Sequence, residues 1–359
     1  MHDRRSFMKH SIAATSAIGT ASWSGMALAA SSTQSALVFD AMGKIREVYD
    51  SALLQEMLDS GLNAITKTMC DPKTFQREAL DVALEGIRSF DAWIESNPRQ
   101  VLKGKSVADL DRAKRDGKIA VFYLIQNSTP FGKDLDMVDT FYGLGLRSVQ
   151  MTYNFQNWAG SGCQERSNSG LSVFGLELVE KLNDTNMLID CSHANMQTMA
   201  DTIRASNVPI IVSHTGCLAI HKNTRNTTDE NLRLLADNGG VVSIDQIRPH
   251  ITTLREGALQ HYLNHLEHAV NVCGIDHVGI GSDRDHRYID MTPEYLDELR
   301  AEQGANLNED LLPWFMVELN GPRRMETIWG GLKDRGLSDG QVEKIMGENV
   351  RRVYFETIG

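Results

Sequence analysis

The chain is predicted to fold as a (β/α)8 barrel with a C-terminal helical closure, and three features of the sequence predict it. Short β-rich runs alternate with helix-patterned stretches as far as about residue 285. Eight such alternations in about 250 residues match the size and rhythm of the barrel. No Gly-rich dinucleotide fingerprint follows the first run, which sets the chain apart from a doubly wound sheet. Polar residues gather at the C-terminal ends of the runs, where barrel enzymes keep their chemistry.

The expected strands are 36–40, 62–68, 119–125, 147–151, 187–190, 208–212, 240–244 and 277–281, each a short run rich in β-branched and other apolar residues. Between them lie amphipathic stretches at 72–96, 134–144, 173–182, 195–205, 228–238 and 254–272, with apolar residues at helical spacing. Beyond residue 290 helical patterns recur at 293–302, 311–319 and 339–346 and continue through Gly347–Arg352. These form the closure packed on the barrel. No internal repeat or flexible linker divides the chain, so residues 30–359 are read as one domain.

Composition narrows the function classes. Of 359 residues 42% are hydrophobic and 23% charged, with 29 Gly and 8 Pro, which excludes collagen-like and largely disordered chains. The balance of 36 Lys+Arg against 47 Asp+Glu gives −11, with no concentrated basic tract, so nucleic acid is not the expected partner. Residues 1–29 read as a signal peptide of twin-arginine type: Arg4-Arg5-Ser6-Phe7-Met8-Lys9, a weakly apolar stretch, then Ala27-Leu28-Ala29 before polar residues. No later stretch approaches the roughly 20 apolar residues that span a bilayer. A periplasmic or secreted product with no stable membrane insertion is expected. Cys70, Cys163, Cys191, Cys217 and Cys273 are scattered without a C-x-x-C pair, so no disulfide framework is expected.

His193 and His214 are the sharpest pair. Each closes an apolar run and each is preceded by Ser, so a barrel would bring them from adjacent strand ends toward one centre. Two imidazoles from neighbouring strands are a common way to hold Zn²⁺. Asp283 follows the last run, where barrel hydrolases place a carboxylate that binds metal or takes a proton from water. By contrast, Asp40 reads as a strand-end structural carboxylate, and Cys191 and Cys217 as small buried residues. His221, Asp285 and His286 could each add a ligand, but read better as solvated loop residues. His261, His265 and His268 share a helix face at a spacing that could bind metal, but a partly exposed face explains them better.

The run Met151-Thr152-Tyr153-Asn154, together with Gly162-Cys163-Gln164-Glu165-Arg166, Ile189-Asp190-Cys191-Ser192-His193, Ser213-His214, Arg225-Asn226 and Gly279-Ile280-Gly281-Ser282-Asp283, resembles the renal or membrane dipeptidases, peptidase family M19, over nearly the whole chain after the leader. The resemblance implies a barrel of the metal-dependent amidohydrolase type holding two zinc ions and cleaving dipeptides, including those with a D-residue at the C-terminal position. It implies that His193 and His214 bind the second metal, with Asp283 as acid/base or third ligand. Arg225 would grip an anionic oxygen of the substrate, and Tyr153 and Asn154 would contact it. Family members are often dimers, so a homodimer is implied too.

The departures are specific. The first strand of the family ends in an H-x-D pair, matched here by Met42 and Lys44, and the bridging glutamate is matched by Gln126. Tyr153 stands where the family has a substrate-contacting His. One zinc per chain is therefore expected. The reading is an exported, zinc-dependent, dipeptidase-like metallohydrolase acting on a dipeptide or related small amide. Its rivals are a periplasmic tailoring enzyme acting on a peptide-derived metabolite and a non-catalytic small-peptide-binding protein.

Overall fold

All eight expected runs are strands of one closed parallel barrel. The computed structural model describes residues 32–303 and 307–359, so the expected signal peptide lies outside the described residues. The strands are β1 (Val38–Asp40), β2 (Leu62–Thr68), β3 (Val101–Gly104), β4 (Ile119–Ile125), β5 (Leu146–Gln150), β6 (Leu188–Asp190), β7 (Ile211–Thr215), β8 (Val241–Ile244) and β9 (Val278–Ile280). The ring runs β1-β2-β4-β5-β6-β7-β8-β9 and closes back on β1 through Asp40 and Ile280. Every pairing is parallel, as β/α alternation requires.

Strand β3 was not expected. It pairs Val101–Gly104 with the first half of β4, beside the ring rather than in it. The strand expected at 208–212 begins later, at Ile211, because Pro209 has no amide hydrogen to give to a ladder.

Helices α1 (Ser51–Asp59), α2 (Gln76–Ser96), α3 (Val107–Asp116), α4 (Asp136–Gly143), α5 (Val173–Asp184), α6 (Met196–Ala205), α7 (Asp229–Asp237), α8 (Arg248–Ile251) and α9 (Ala258–Cys273) surround the ring. The C-terminal part contributes α10 (Pro293–Gln303), α11 (Arg324–Asp334), α12 (Asp339–Glu343) and α13 (Asn349–Ile358). Ser106, Ser172, Asn195 and Thr228 cap α3, α5, α6 and α7 by accepting a backbone N–H from the third residue beyond. The helix expected at 311–319 is absent. Two short 3₁₀ turns, Glu309–Leu311 and Val317–Leu319, stand there, because Pro313 removes a donor and forces Leu312 into an extended conformation.

Strand alternation sorts the core into two layers. Ile65, Val121 and Tyr123 face outward onto the helices, while Phe39, Ala64, Phe122 and Leu188 share the interior with Tyr354 of α13. The Phe39, Phe122 and Tyr354 rings lie 4.9–5.5 Å apart, and Tyr354 Oη is 2.7 Å from Thr66 Oγ1. The expected C-terminal closure thus includes a helix, α13, whose Val350, Val353 and Tyr354 side chains join the interior layer, leaving the C-terminal strand ends for a site. Among the described residues no helix is long and apolar enough to cross a membrane. All five cysteines are free thiols.

Candidate active site

Strand β6 ends at Asp190, and Cys191-Ser192 carry the chain on to His193; β7 contains His214. Their Nε2 atoms stand 2.9 Å apart. Each ring is also held from behind: His193 Nδ1 lies 2.7 Å from Asn154 Oδ1, and His214 Nδ1 lies 2.8 Å from Ser213 Oγ. Burial, reinforced by the nearby Arg225 charge, pushes both imidazoles well below their ordinary range and keeps them neutral. The Tyr153 ring lies tilted against the His193 ring with centroids 4.2 Å apart, and burial keeps its phenol protonated.

The support beneath the pair is Asp190, which is fully buried. Its Oδ1 accepts the backbone N–H groups of Ser192 and Ser213, and its Oδ2 accepts Ser213 Oγ–H at 2.5 Å and Gln150 Nε2–H at 2.8 Å. Ser192 Oγ in turn accepts the His214 N–H. Asp40 repeats the device on the other side of the barrel, accepting Ser282 N–H at 2.7 Å and Ser282 Oγ–H at 2.5 Å. In both places a strand-end carboxylate clamps the Ser that immediately precedes a site residue, His214 or Asp283. Burial pushes the Asp40 carboxyl up to about 6.

Asp283 is tied to the first strand by its N–H, which donates to Met42 O at 2.7 Å. Burial raises its carboxyl above the ordinary range, while the charges of Lys44 and Arg225 pull it back down. His193 and Asp283 both have left-handed backbones, at φ 67° and 48°, which non-glycine residues adopt only where the surroundings impose it. Gly281 permits the close approach beneath them, since a Cβ there would overlap the Ser213 carbonyl. Arg225 is 7% exposed, and its Nη2 donates to His214 O at 3.3 Å.

These residues border one cavity of about 980 Å³ at the strand C-termini, lined by His193, Arg225, Asp283, Tyr153, Lys44 and Gln126 among others. His214 lies deeper, behind the wall. Of the expected substrate contacts, Arg225 and Tyr153 face the cavity. Asn154 also lines it, but its carbonyl oxygen is committed to His193.

Neutral imidazole nitrogen is the form that ligates a metal, and two such atoms converge here from neighbouring strands with their other nitrogens fixed. The pair therefore fits one transition-metal ion as two of its ligands. Among the described residues no three His, Cys, Asp or Glu side chains form a group able to hold a metal, so Asp283 does not complete a three-ligand set. The family's first metal position does not fit a cation at all. Met42 offers a thioether, Lys44 an ammonium and Gln126 a neutral amide.

The remaining candidates are structural. His265 is buried, accepting the Cys217 N–H at Nδ1 and donating from Nε2 to Ile251 O, while His268 pairs with Asp229 at 2.8 Å. Asp285 and His286 are buried rather than solvated, Asp285 because it pairs with Arg46 and Arg287. The sequence reading missed Asp245 and His250. His250 lines the cavity, and its Nδ1 is 2.9 Å from Asp245 Oδ2. Asp245 follows an apolar run directly, as Asp40 and Asp190 end theirs, so that signal was present.

Comparison with known proteins identifies the family and agrees with the fold. The family model for membrane dipeptidase, peptidase family M19, matches residues 40–303. A Klebsiella pneumoniae protein described as an uncharacterized protein in the pqqA 5' region is 29% identical over 62% of this chain and 88% of its own length. An amidohydrolase from Pseudomonas aeruginosa is 28% identical in a superposition with TM-score 0.81, covering 92% of this chain and 99% of that one. A metallo peptidase from Rhodobacter sphaeroides, liganded with a phosphinate mimic of the dipeptide L-Ala-D-Ala, shares the fold at 19% identity and TM-score 0.76, over 90% of this chain and 99% of that one.

Proposed function

This chain belongs to the membrane dipeptidase family, peptidase family M19, whose peptidases are metal-dependent hydrolases of peptide bonds, and from that membership we propose that it is an exported enzyme cleaving a dipeptide or a related small amide with one zinc ion per chain. The observation that carries the proposal is the 2.9 Å convergence of the His193 and His214 Nε2 atoms beside a cavity that also holds Arg225 and Asp283. Export rests on the twin-arginine-type leader in residues 1–29.

His193 and His214 are the residues that would hold the zinc. Bound there, the ion supplies Lewis acidity and a lowered pKa for water. The protein's own groups do the rest. Arg225, planar and always charged, grips an anionic oxygen of the substrate with two parallel N–H donors. Asp283, whose carboxyl burial lifts above the ordinary range, takes the proton of the attacking water. Tyr153 keeps its O–H and presents a donor, not a base, to the bound amide. Lys44 adds positive charge near Asp283 at the end of β1, where the family carries an acidic ligand.

The test is turnover by the purified, zinc-loaded full chain on a panel of L,L- and L,D-dipeptides, with ninhydrin or mass detection of both product amino acids. Release of the two amino acids in equal amounts supports the proposal. Intact dipeptide throughout the panel, in protein shown to hold zinc, rejects it.

A further inference from the structure

The cavity contains a second ordered acid–base pair, Asp245 and His250, which the mechanism above does not use. Asp245 leaves the end of β8 fully buried. Its N–H donates to Thr215 O at 2.9 Å, its Oδ1 accepts the Ile247 N–H at 3.1 Å, and its Oδ2 lies 2.9 Å from His250 Nδ1. The turn that carries His250 is locked on every side. Asn226 Nδ2 donates to His250 O at 2.7 Å, and the buried Arg248 guanidinium binds the carbonyls of Pro313, Leu311, Thr252, Thr253 and Leu254. The ring is thus fixed through one nitrogen, and among the described residues nothing engages Nε2. His250 lines the cavity with His193, Arg225 and Asp283.

A buried carboxylate accepting Nδ1–H fixes the ring and leaves Nε2 as the atom that takes up a proton and passes it to whatever occupies the cavity. Amide cleavage needs such a donor, because an amine does not depart as an anion. Asp283 receives a proton during attack and stands on the loop after β9; His250 stands on the loop after β8. Tyr153, on the loop after β5, offers a phenol that burial makes a weaker acid still.

We propose that His250, positioned by Asp245, is a catalytic residue that protonates the departing amine, and this rests on the hydrolytic reading given above. The water oxygen bonds to the carbonyl carbon while its proton passes to Asp283. The C–N bond then breaks as the nitrogen takes the Nε2 proton of His250. The carboxyl proton held by Asp283 returns to His250 through solvent, so one water is consumed and each group is restored.

The experiment compares an amide with an ester whose leaving group needs no proton. Wild type, His250→Gln and His250→Ala are assayed on L-Ala-D-Ala, or the best-cleaved dipeptide of the panel, and on the p-nitrophenyl ester of L-alanine. Loss of a general acid predicts a fall of about 100-fold or more in kcat on the dipeptide and less than about 5-fold on the ester. Added imidazole should restore part of the dipeptide rate in His250→Ala. Asp245→Asn, which disturbs only positioning, should lower kcat on the dipeptide with little change in KM. Thermal midpoints confirm that each variant is folded, and the second His250 variant serves where the first is not. Equal losses on amide and ester, or no loss on either, overturn the role of His250 while leaving the hydrolytic reading intact. If wild type cleaves the ester but no dipeptide, the hydrolytic reading fails, and this inference fails with it.

Discussion

The Nε2 atoms of His193 and His214 face each other across 2.9 Å, and neither ring is free to turn away. His193 is fixed by Asn154, and His214 by Ser213, whose hydroxyl also donates to Asp190. The pair is thus assembled by a chain of hydrogen bonds before any ligand arrives. That arrangement is what makes two ligands useful, since metal sites depend on groups behind the ligands almost as much as on the ligands themselves.

Asp190 should therefore govern both stability and metal affinity. Asp190→Ala orphans the buried N–H groups of Ser192 and Ser213 and an amide hydrogen of Gln150. At about 1–3 kcal/mol for each unsatisfied donor, less what is recovered by removing a buried charge, a net loss of about 3 kcal/mol is expected in urea unfolding. Zinc affinity should fall by about 10–100-fold. A variant with wild-type values of both would show that the clamp does not support the histidines.

Asp40 should make stability depend on pH. Its folded pKa of about 6 lies above its ordinary value of 3.8, so folding favours its protonated form. The stabilisation is complete below about pH 4 and disappears as pH rises through 6. Asp40→Asn has no proton to lose. Relative to wild type it should gain about 3 kcal/mol between pH 4 and 7, from a shift of about two units. Parallel stability–pH curves for the two proteins would contradict this.

Arg225→Lys keeps the charge and loses the planar fork. We expect kcat/KM on the best dipeptide to drop by about 100-fold with the fold and zinc content unchanged. Activity within a factor of two of wild type would remove Arg225 from the substrate site.

Restoring the family's first metal position should restore its metal. Met42→His, Lys44→Asp and Gln126→Glu together should raise metal content by about one ion per chain, and Lys44→Ala alone should not. If the triple variant takes up nothing more, these three positions do not correspond to the family's ligands.

The sequence was most informative where chemistry and periodicity coincide. Runs such as Leu62–Thr68 and Ile119–Ile125 are strands over the bounds expected of them, because an apolar β-rich run bounded by polar residues has few alternatives inside an α/β fold. Strand β3 was invisible because Val101-Leu102-Lys103-Gly104 is only four residues long and contains a lysine. Helix α3 was equally hidden: six of the ten residues of Val107–Asp116 are charged, and it buries only Val107, Leu110 and Ala113. Long-range partners were out of reach of periodicity altogether. That Asp40 clamps Ser282, 242 residues away, follows only from ring closure. His193, His214, Arg225 and Asp283 were readable because a motif marks each. His250 carried no such mark, and its meaning comes from the buried Asp245 five residues before it.

The most direct measurement is zinc per chain, by plasma mass spectrometry, in wild type and in His193→Ala purified without added metal. We predict about one zinc per chain in wild type and none in the variant. Two ions per chain in wild type, or zinc undiminished in His193→Ala, would contradict a single site built on His193 and His214.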